Sequence, residues 1–259
     1  MRTQIIIKRS QDEVTVAVAE WLIESIQRVL QTRPTCSIAL SGGGTPKNLY
    51  QHLASNGLQR IDWSKVQLFW GDERNVPPDH ADSNFRMVRE AWLDRALATE
   101  NPGCIPNFFP VPVSIENPER TAKLYSDTLR HYLAADPSEG GFPRLDIVLL
   151  GLGDDSHTAS LFPETQALLS KDEIFVCNYV PKLGTYRLTM TVPLLNAARQ
   201  VAFLVCGASK QAAVEVVWHG PKQGNLYPAQ RIHPQRGDLL WFMDLAAVPE
   251  HRRGDYAVR

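Results

Sequence analysis

Short apolar runs that alternate with segments of helical repeat restrict the fold of this chain more than any other feature. The runs CSIAL at 36–40, VQLFW at 66–70 and LDIVLL at 145–150 are almost continuously apolar. Such runs are typical of parallel strands, because helices cover both faces of a parallel sheet. Further strands are predicted at 5–7, 174–180, 187–192, 200–206 and 239–243.

Helices are predicted between most of these strands. One follows Ser10, which precedes Glu13 by three residues in a capping-box pattern. A second is expected to begin at Thr45-Pro46, with the hydroxyl at the N-cap and the proline in the first turn. The others are predicted from Asp82 or Ser83 to Leu97, up to about Leu133, and from Ser209 to Trp218. Residues 101–118 are proline-rich and predict a surface loop.

This order of elements predicts an α/β fold with three Rossmann-like layers. A mostly parallel sheet is expected to carry helices on both faces. No linker or internal repeat interrupts the pattern, so residues 1–259 are expected to form one domain.

Charge and composition exclude several classes of function. Lys and Arg total 27 against 28 for Asp and Glu, so the net charge is -1. A nearly neutral chain has no overall field for nucleic acid or a membrane surface, and an anionic ligand needs a local site. The 4 cysteines are widely spaced and are expected to be reduced. No apolar run suits a signal peptide or a membrane span, which predicts a cytoplasmic protein.

Ligands of such folds bind beyond the carboxyl ends of the strands, and three predicted strand ends carry polar segments. The first, SGGGTPKNLY from Ser41 to Tyr50, combines glycines with a helix start. Glycines allow the backbone to approach an anion, and the helix directs free N–H groups toward it. The segment predicts a phosphate cradle or, alternatively, a tight turn whose glycines serve geometry alone.

The second segment places Asp72, Glu73 and Arg74 directly after a strand, and the third places His157 after the glycine-rich turn GLGDDS. A guanidinium can grip a phosphate, although a solvated salt-bridge cluster would look the same in sequence. Histidine can take and return a proton near neutral pH. His157 is therefore the candidate general base.

Two other chemistries fit the third segment less well. GLGDDS lacks the third glycine of the dinucleotide fingerprint, because Ser156 stands there. Asp154, Asp155 and His157 are the only candidate metal ligands in this segment, and they do not have the spacing of a known metal-binding motif. We expect neither a cofactor nor a metal.

Together these motifs resemble the 6-phosphogluconolactonase family. SGGGTP is followed by GDER with DSN, by HTASLFP, and then by YRLTMTVPLLNAAR, CGASKQAAV and LYPAQRI, along nearly the whole chain. The resemblance implies the fold of ribose-5-phosphate isomerase and glucosamine-6-phosphate deaminase. It also implies cofactor-free hydrolysis of 6-phosphogluconolactone in the oxidative pentose phosphate pathway. Separately, we expect a monomer or weak homo-oligomer.

The resemblance assigns roles to individual residues. His157 is similar to the base that activates water, and Asp72 to its acidic companion. Phosphate or substrate contacts are implied for Gly42, Gly43, Gly44, Thr45, Arg74, Asp155, Arg187 and Lys210. The family commonly has glycine where this chain has Ser156, so a positive φ there would strain the serine next to the base.

Two alternatives remain at this point. An amino-sugar-phosphate isomerase or deaminase shares the glycine loop and the histidine segment, but it has Phe-Asn-Glu where this chain has Ser160, Leu161 and Phe162. A non-catalytic sugar-phosphate-sensing domain would carry an added DNA-binding unit and often lacks the catalytic groups.

Overall fold

The computed structural model describes residues 2–135 and 141–258, in which strands and helices alternate in the predicted order. The strands are β1 (Arg2–Lys8), β2 (Cys36–Leu40), β3 (Val66–Trp70), β4 (Asp72–Arg74), β5 (Asn107–Phe109), β6 (Ile147–Leu150), β7 (Phe175–Val180), β8 (Thr185–Met190), β9 (Gln200–Val205) and β10 (Asp238–Asp244). The α-helices are α1 (Gln11–Leu30), α2 (Gly44–Asn56), α3 (Asn84–Val88), α4 (Asp94–Leu97), α5 (Pro118–Tyr132), α6 (Val192–Ala197) and α7 (Gln211–His219).

Within the described residues, seven strands form one sheet in the order β1-β10-β9-β6-β2-β3-β5. Every neighbouring pair in this sheet is parallel. The chain runs outward from β2 through β3 to β5 and, on the other side, from β6 through β9 to β10. The boundary between β2 and β6 is therefore the topological switch point, where ligands of such sheets bind.

Helices cover both faces of this sheet. Trp241 and Phe242 are neighbours in β10, so their side chains point to opposite faces. Phe242 packs against Trp21 of α1 with ring centroids 5.4 Å apart, whereas Trp241 packs against Trp218 of α7 at 5.3 Å. The predicted three-layer α/β fold is confirmed.

A second, antiparallel sheet has the order β4-β8-β7. Gly71 joins the two sheets: its N–H donates to the Leu40 carbonyl of the large sheet at 2.9 Å, and its carbonyl accepts from the Met190 N–H at 2.8 Å. The segments predicted at 174–180 and 187–192 are thus strands, but they form a hairpin outside the parallel sheet.

Some predicted boundaries differ from the structure. Helix α2 begins at Gly44 with Gly43 as its N-cap, so Thr45 lies inside the first turn and does not cap it. Ser83, whose hydroxyl accepts from the Arg86 N–H, is the N-cap of α3. A π-helical turn, Arg89–Leu93, joins α3 to α4. The region predicted as a loop at 101–118 contributes β5, an edge strand short enough to fit between prolines.

Candidate active site

The three polar segments predicted from the sequence lie at one edge of the large sheet. The glycine segment follows β2, the turn with His157 follows β6, and Asp72 follows β3. A fourth segment, from Cys206 to Lys210, follows β9. Because β9, β6, β2 and β3 are consecutive parallel neighbours, their carboxyl ends meet at the same edge.

These segments enclose one continuous cleft. A cavity of about 220 Å³ is lined by the glycine segment, Lys210 and His157, and a cavity of about 290 Å³ is lined by Arg187 and His157. Both cavities share Asp72, Arg74 and His157. The His157 side chain is 29% exposed, so the imidazole is open to solvent and to a ligand.

Asp155 and Phe162 hold the imidazole of His157. The Asp155 Oδ1 atom lies 2.5 Å from Nδ1, and the Phe162 ring stacks on the imidazole with centroids 4.1 Å apart. A carboxylate at Nδ1 favours the tautomer with its proton on that atom. Nε2 is then the nitrogen that can accept a proton from a ligand or water.

The other oxygen of Asp155 contacts a cation. Lys182 Nζ donates to Asp155 Oδ2 at 2.9 Å. The hydrogen bond with His157, assisted by Lys182, holds the pKa of Asp155 well below its usual range despite partial burial. Asp155 therefore stays ionised over the whole range in which histidine titrates.

The turn that carries His157 is strained. Ser156 has φ 64°, Ala159 has φ 47° and Glu164 has φ 58°, and these are the non-glycine residues with positive φ in the described chain. The positive φ considered for Ser156 from the sequence is thus present. Strain of this kind concentrates at functional sites, where packing enforces an unfavourable backbone. Here the buried Ser156 is fixed because its carbonyl accepts from the Ala229 N–H at 3.0 Å.

Asp72, predicted as the acidic companion of His157, is buried at the base of the same cleft. Its Oδ2 accepts from the Ser160 hydroxyl at 2.7 Å. The carboxylate in contact with the imidazole is that of Asp155, for which a substrate contact was predicted instead. Asp72 and Asp155 thus occupy different positions around His157, one beneath the cleft and one on the turn itself.

The glycine segment has the geometry of an anion cradle. Gly43 adopts φ 102°, which favours glycine, and the N-terminus of the 13-residue helix α2 begins directly after it. The Tyr50 hydroxyl accepts from the Ser41 N–H at 3.0 Å and donates to its carbonyl at 2.9 Å, which fixes the start of the segment. Gly42, Gly44 and Thr45 line the cleft beside it.

Glu73 and Asn84 support this edge of the site, and the sequence reasoning missed their role. Glu73 is 2% exposed, and its carboxylate accepts from the backbone N–H groups of Arg74, Asn84 and Phe85 at 2.7–2.8 Å. Burial nevertheless raises the pKa of Glu73. The Asn84 amide donates to the Asp72 carbonyl at 3.0 Å.

Asn84 also contacts the glycine segment. A Cβ added to Gly42 would lie 2.0 Å from Asn84 Oδ1, so the two residues touch. The motif DSN contains this asparagine, but no local pattern in the sequence indicates its contact with a glycine 42 positions earlier.

The cationic residues occupy two parts of the cleft. Arg74 and Arg187 face each other across the antiparallel pair β4–β8. Their guanidiniums donate to backbone carbonyls, of Asp82 at 2.7 Å and of Tyr186 at 3.3 Å. Burial and then the neighbouring Arg74 lower the pKa of Arg187. Lys210, on the opposite side, contacts Asp154 at 2.5 Å.

The described residues contain no group of three or more His, Cys, Asp and Glu side chains suited to a metal ion. Among these same residues, no helix is long and apolar enough to cross a membrane.

Comparisons with known proteins identify the family of this chain. Residues 9–241 match the family described as glucosamine-6-phosphate isomerases/6-phosphogluconolactonase. The chain is 43% identical to the 6-phosphogluconolactonase of Synechocystis sp. over 94% of its length and 93% of the relative. It is 40% identical to that of Nostoc sp. over 96% of its length and 99% of the relative.

A solved structure gives the same result. The 6-phosphogluconolactonase from Trypanosoma brucei superposes with a TM-score of 0.82 at 28% identity, and the alignment covers 95% of this chain and 97% of that one.

Proposed function

This chain belongs to the glucosamine-6-phosphate isomerase/6-phosphogluconolactonase family, and we propose that it hydrolyses 6-phosphogluconolactone to 6-phosphogluconate. One observation carries the proposal: an imidazole held by a carboxylate opens onto the same cleft as a glycine-lined helix start. The cleft thus offers a base for a lactone and a cradle for a phosphate.

The chemistry follows from the two nitrogens of His157. Nε2 takes a proton from a water molecule, and the resulting hydroxide attacks the lactone carbonyl. The tetrahedral intermediate collapses with cleavage of the bond to the ring oxygen, which takes back the proton from the imidazolium. Asp155 at Nδ1 stabilises the imidazolium between these steps. General base catalysis of this kind is typically worth roughly 10²–10⁴ in rate.

The phosphate belongs at the start of α2. Backbone N–H groups of Gly42 to Gly44, the Thr45 hydroxyl and the Arg74 guanidinium would hold it, since they line one cavity. Lys210 and Arg187 provide further cationic contacts from the two ends of the cleft.

Asp72 completes the site as a second carboxylate in the cleft. It is buried, and the Ser160 hydroxyl holds its Oδ2. Because a nearby carboxylate favours the protonated form of a histidine, Asp72 would help to stabilise the imidazolium in the intermediate.

Phe162 favours lactone hydrolysis over amino-sugar deamination. Its ring stacks on the imidazole. In sequence it corresponds to the glutamate that the resemblance gives to the deaminases as the group that supports ring opening. An apolar ring cannot exchange a proton with the sugar. The substrate is a product of sugar-phosphate oxidation, so the reaction belongs to the oxidative pentose phosphate pathway. A cytoplasmic location, one domain over residues 1–259, and a monomer or weak homo-oligomer stay part of the proposal.

Hydrolysis of freshly prepared 6-phosphogluconolactone tests the proposal, with rates corrected for spontaneous opening. We expect wild type and the surface control His131→Ala to be active. His157→Ala should lose most of the catalysed rate but still bind 6-phosphogluconate in a calorimetric titration. A His157→Ala variant as fast as wild type would remove the proposed base. Release of ammonia from glucosamine 6-phosphate would instead favour the deaminase.

A further inference from the structure

Lys182 connects the site to the hairpin formed by β7 and β8. It lies in the short 3-10 turn Pro181–Leu183 between these strands, 27 positions from Asp155 in sequence. Its ammonium contacts Asp155 Oδ2 at 2.9 Å, while Oδ1 of the same carboxylate contacts His157. A single carboxylate therefore separates an exposed cation from the candidate base.

We propose that Lys182 is a positioning residue for the general base: it holds the Asp155 carboxylate against Nδ1 and keeps the imidazole from binding a proton too tightly. This inference rests on the proposed function, since it concerns the same base. Lys182 itself touches neither substrate nor reacting atoms in this role.

The positioning effect follows from the geometry of the carboxylate. The Asp155 side chain is 22% exposed, and its two oxygens contact groups on different elements. Because Lys182 holds Oδ2, rotation of the Asp155 carboxylate would break two contacts, the one with Lys182 and the one with His157. Without Lys182, rotation would break only the contact with His157. Asp155 thus presents the same oxygen to His157 in every catalytic cycle.

The electrostatic effect has a definite sign. Asp155 alone would stabilise the imidazolium and raise the proton affinity of His157. The positive charge of Lys182 opposes this, because it partly cancels the carboxylate charge. Removal of Lys182 leaves the imidazolium better stabilised, so the base should remain protonated to a higher pH.

Other charged or titratable groups share the cavities with the imidazole and must stay constant in the test. They come from β4, from the turn itself, from β8 and from the segment after β9: Asp72, Arg74, Asp154, Asp155, Arg187, Cys206 and Lys210. Burial raises the pKa of the Cys206 thiol to about 12, so this group does not titrate with the histidine. A substitution at Lys182 removes a contact from Asp155 and leaves the identity of all these residues unchanged.

The expected effect is moderate. The Lys182 side chain is 69% exposed, and exposed ion pairs contribute little to stability. A charge near the base can still displace the acid limb of the rate profile by about half a pH unit in a highly polar environment. Salt should reduce the displacement, since it screens exposed charges.

The pH profile of kcat/KM tests the inference with three variants. Lys182→Met removes the charge at similar length, Lys182→Arg keeps it, and Lys123→Met removes a charge from the exposed face of α5. We expect the acid limb of Lys182→Met to move upward by about half a pH unit at low salt and by less at high salt. Lys182→Arg and Lys123→Met should keep the wild-type limb.

Two outcomes would overturn the inference: a limb in Lys182→Met that coincides with wild type, or an equal displacement in Lys123→Met. Failure of the proposed function looks different, because wild type would then lack lactonase activity, or His157→Ala would retain it.

Discussion

The imidazole of His157 occupies the space where a side chain at Gly153 would lie. A Cβ atom built on Gly153 would be 2.0 Å from Nδ1 and 2.2 Å from Cε1 of His157. The Gly153 N–H also donates to the His157 carbonyl at 2.8 Å, so the turn closes on itself around the ring. The position of the base therefore depends on the absence of a side chain four residues earlier.

Gly153→Ala is expected to displace the imidazole and to reduce kcat about 100-fold or more, close to the loss of general base catalysis. The same substitution at Gly151 is the matched control, because its added Cβ would meet only Ser41 Oγ at 3.8 Å. Kinetics of both variants, with circular dichroism to verify folding, distinguish a displaced ring from a general effect on the turn. Equal activity in the two variants would contradict this explanation.

Ser156→Gly is expected to stabilise the protein by about 0.5–1 kcal/mol, since relief of the strained backbone exceeds the entropy cost of glycine. The positive φ of Ser156 is already accommodated, so kcat should change by less than about threefold. Urea unfolding and lactone hydrolysis measure the two effects. Ser156→Ala is the control that removes the hydroxyl and keeps the strain. A large gain of activity in Ser156→Gly would mean that the native serine misplaces His157.

Arg74→Ala is expected to raise KM about 10- to 100-fold with a smaller change in kcat. A charge-assisted hydrogen bond to the phosphate is present in both ground and transition states, and its loss costs about 1.5–3 kcal/mol. Steady-state kinetics and inhibition by inorganic phosphate measure the effect. Arg120→Ala, on the exposed side of α5, serves as the control. An unchanged KM would remove Arg74 from the phosphate site.

Asp155→Asn tests a stability effect that depends on pH. Because the folded-state pKa of Asp155 is depressed, its ionised form contributes stability above the unfolded pKa of about 3.9. This contribution is lost as pH falls below that value toward the folded pKa. The Tm of wild type should therefore exceed that of Asp155→Asn at pH 5, and the difference in Tm should narrow below about pH 4.

Thermal unfolding of both proteins between pH 2 and 7 measures the difference in Tm. Asp172→Asn is the control on an exposed carboxylate, and no comparable gap is expected for it. A gap for Asp155→Asn that stays constant down to pH 2 would show that the ion pair is not its cause.

Most strands of the large sheet and the three site segments could be predicted because their signals are local. The run CSIAL identifies β2 from five consecutive residues, and the glycines after it identify the turn into α2. His157 stands out for the same reason, as a histidine in a polar turn after an apolar strand. The common cleft then follows from the order of parallel strands.

The small sheet could not be predicted as a separate unit. Its strand β4 has three residues, Asp72–Arg74, all of them charged, and it pairs with β8 more than a hundred residues later. No local periodicity identifies such a strand, because three residues do not establish an alternation.

The side chains that contact His157 could not be predicted from the sequence either. Asp72 and Asp155 are equally good carboxylates in sequence, and only the shape of the turn directs Asp155 to Nδ1. Lys182 reaches the site through the hairpin, and Phe162 stacks on the ring although its neighbours suggest a core residue. Side-chain contacts across a turn depend on backbone angles such as that of Ser156, which composition does not specify.

The hairpin of β7 and β8 is attached to the large sheet through β4 and Gly71, and it contributes no rung to the parallel hydrogen-bond ladder. Replacement of this hairpin by that of a relative would change the shape and charge of one side of the cleft. The seven-stranded sheet would stay unchanged. Laboratory evolution toward lactones of other ring size or substitution should therefore begin at residues 181–187 and spare the scaffold.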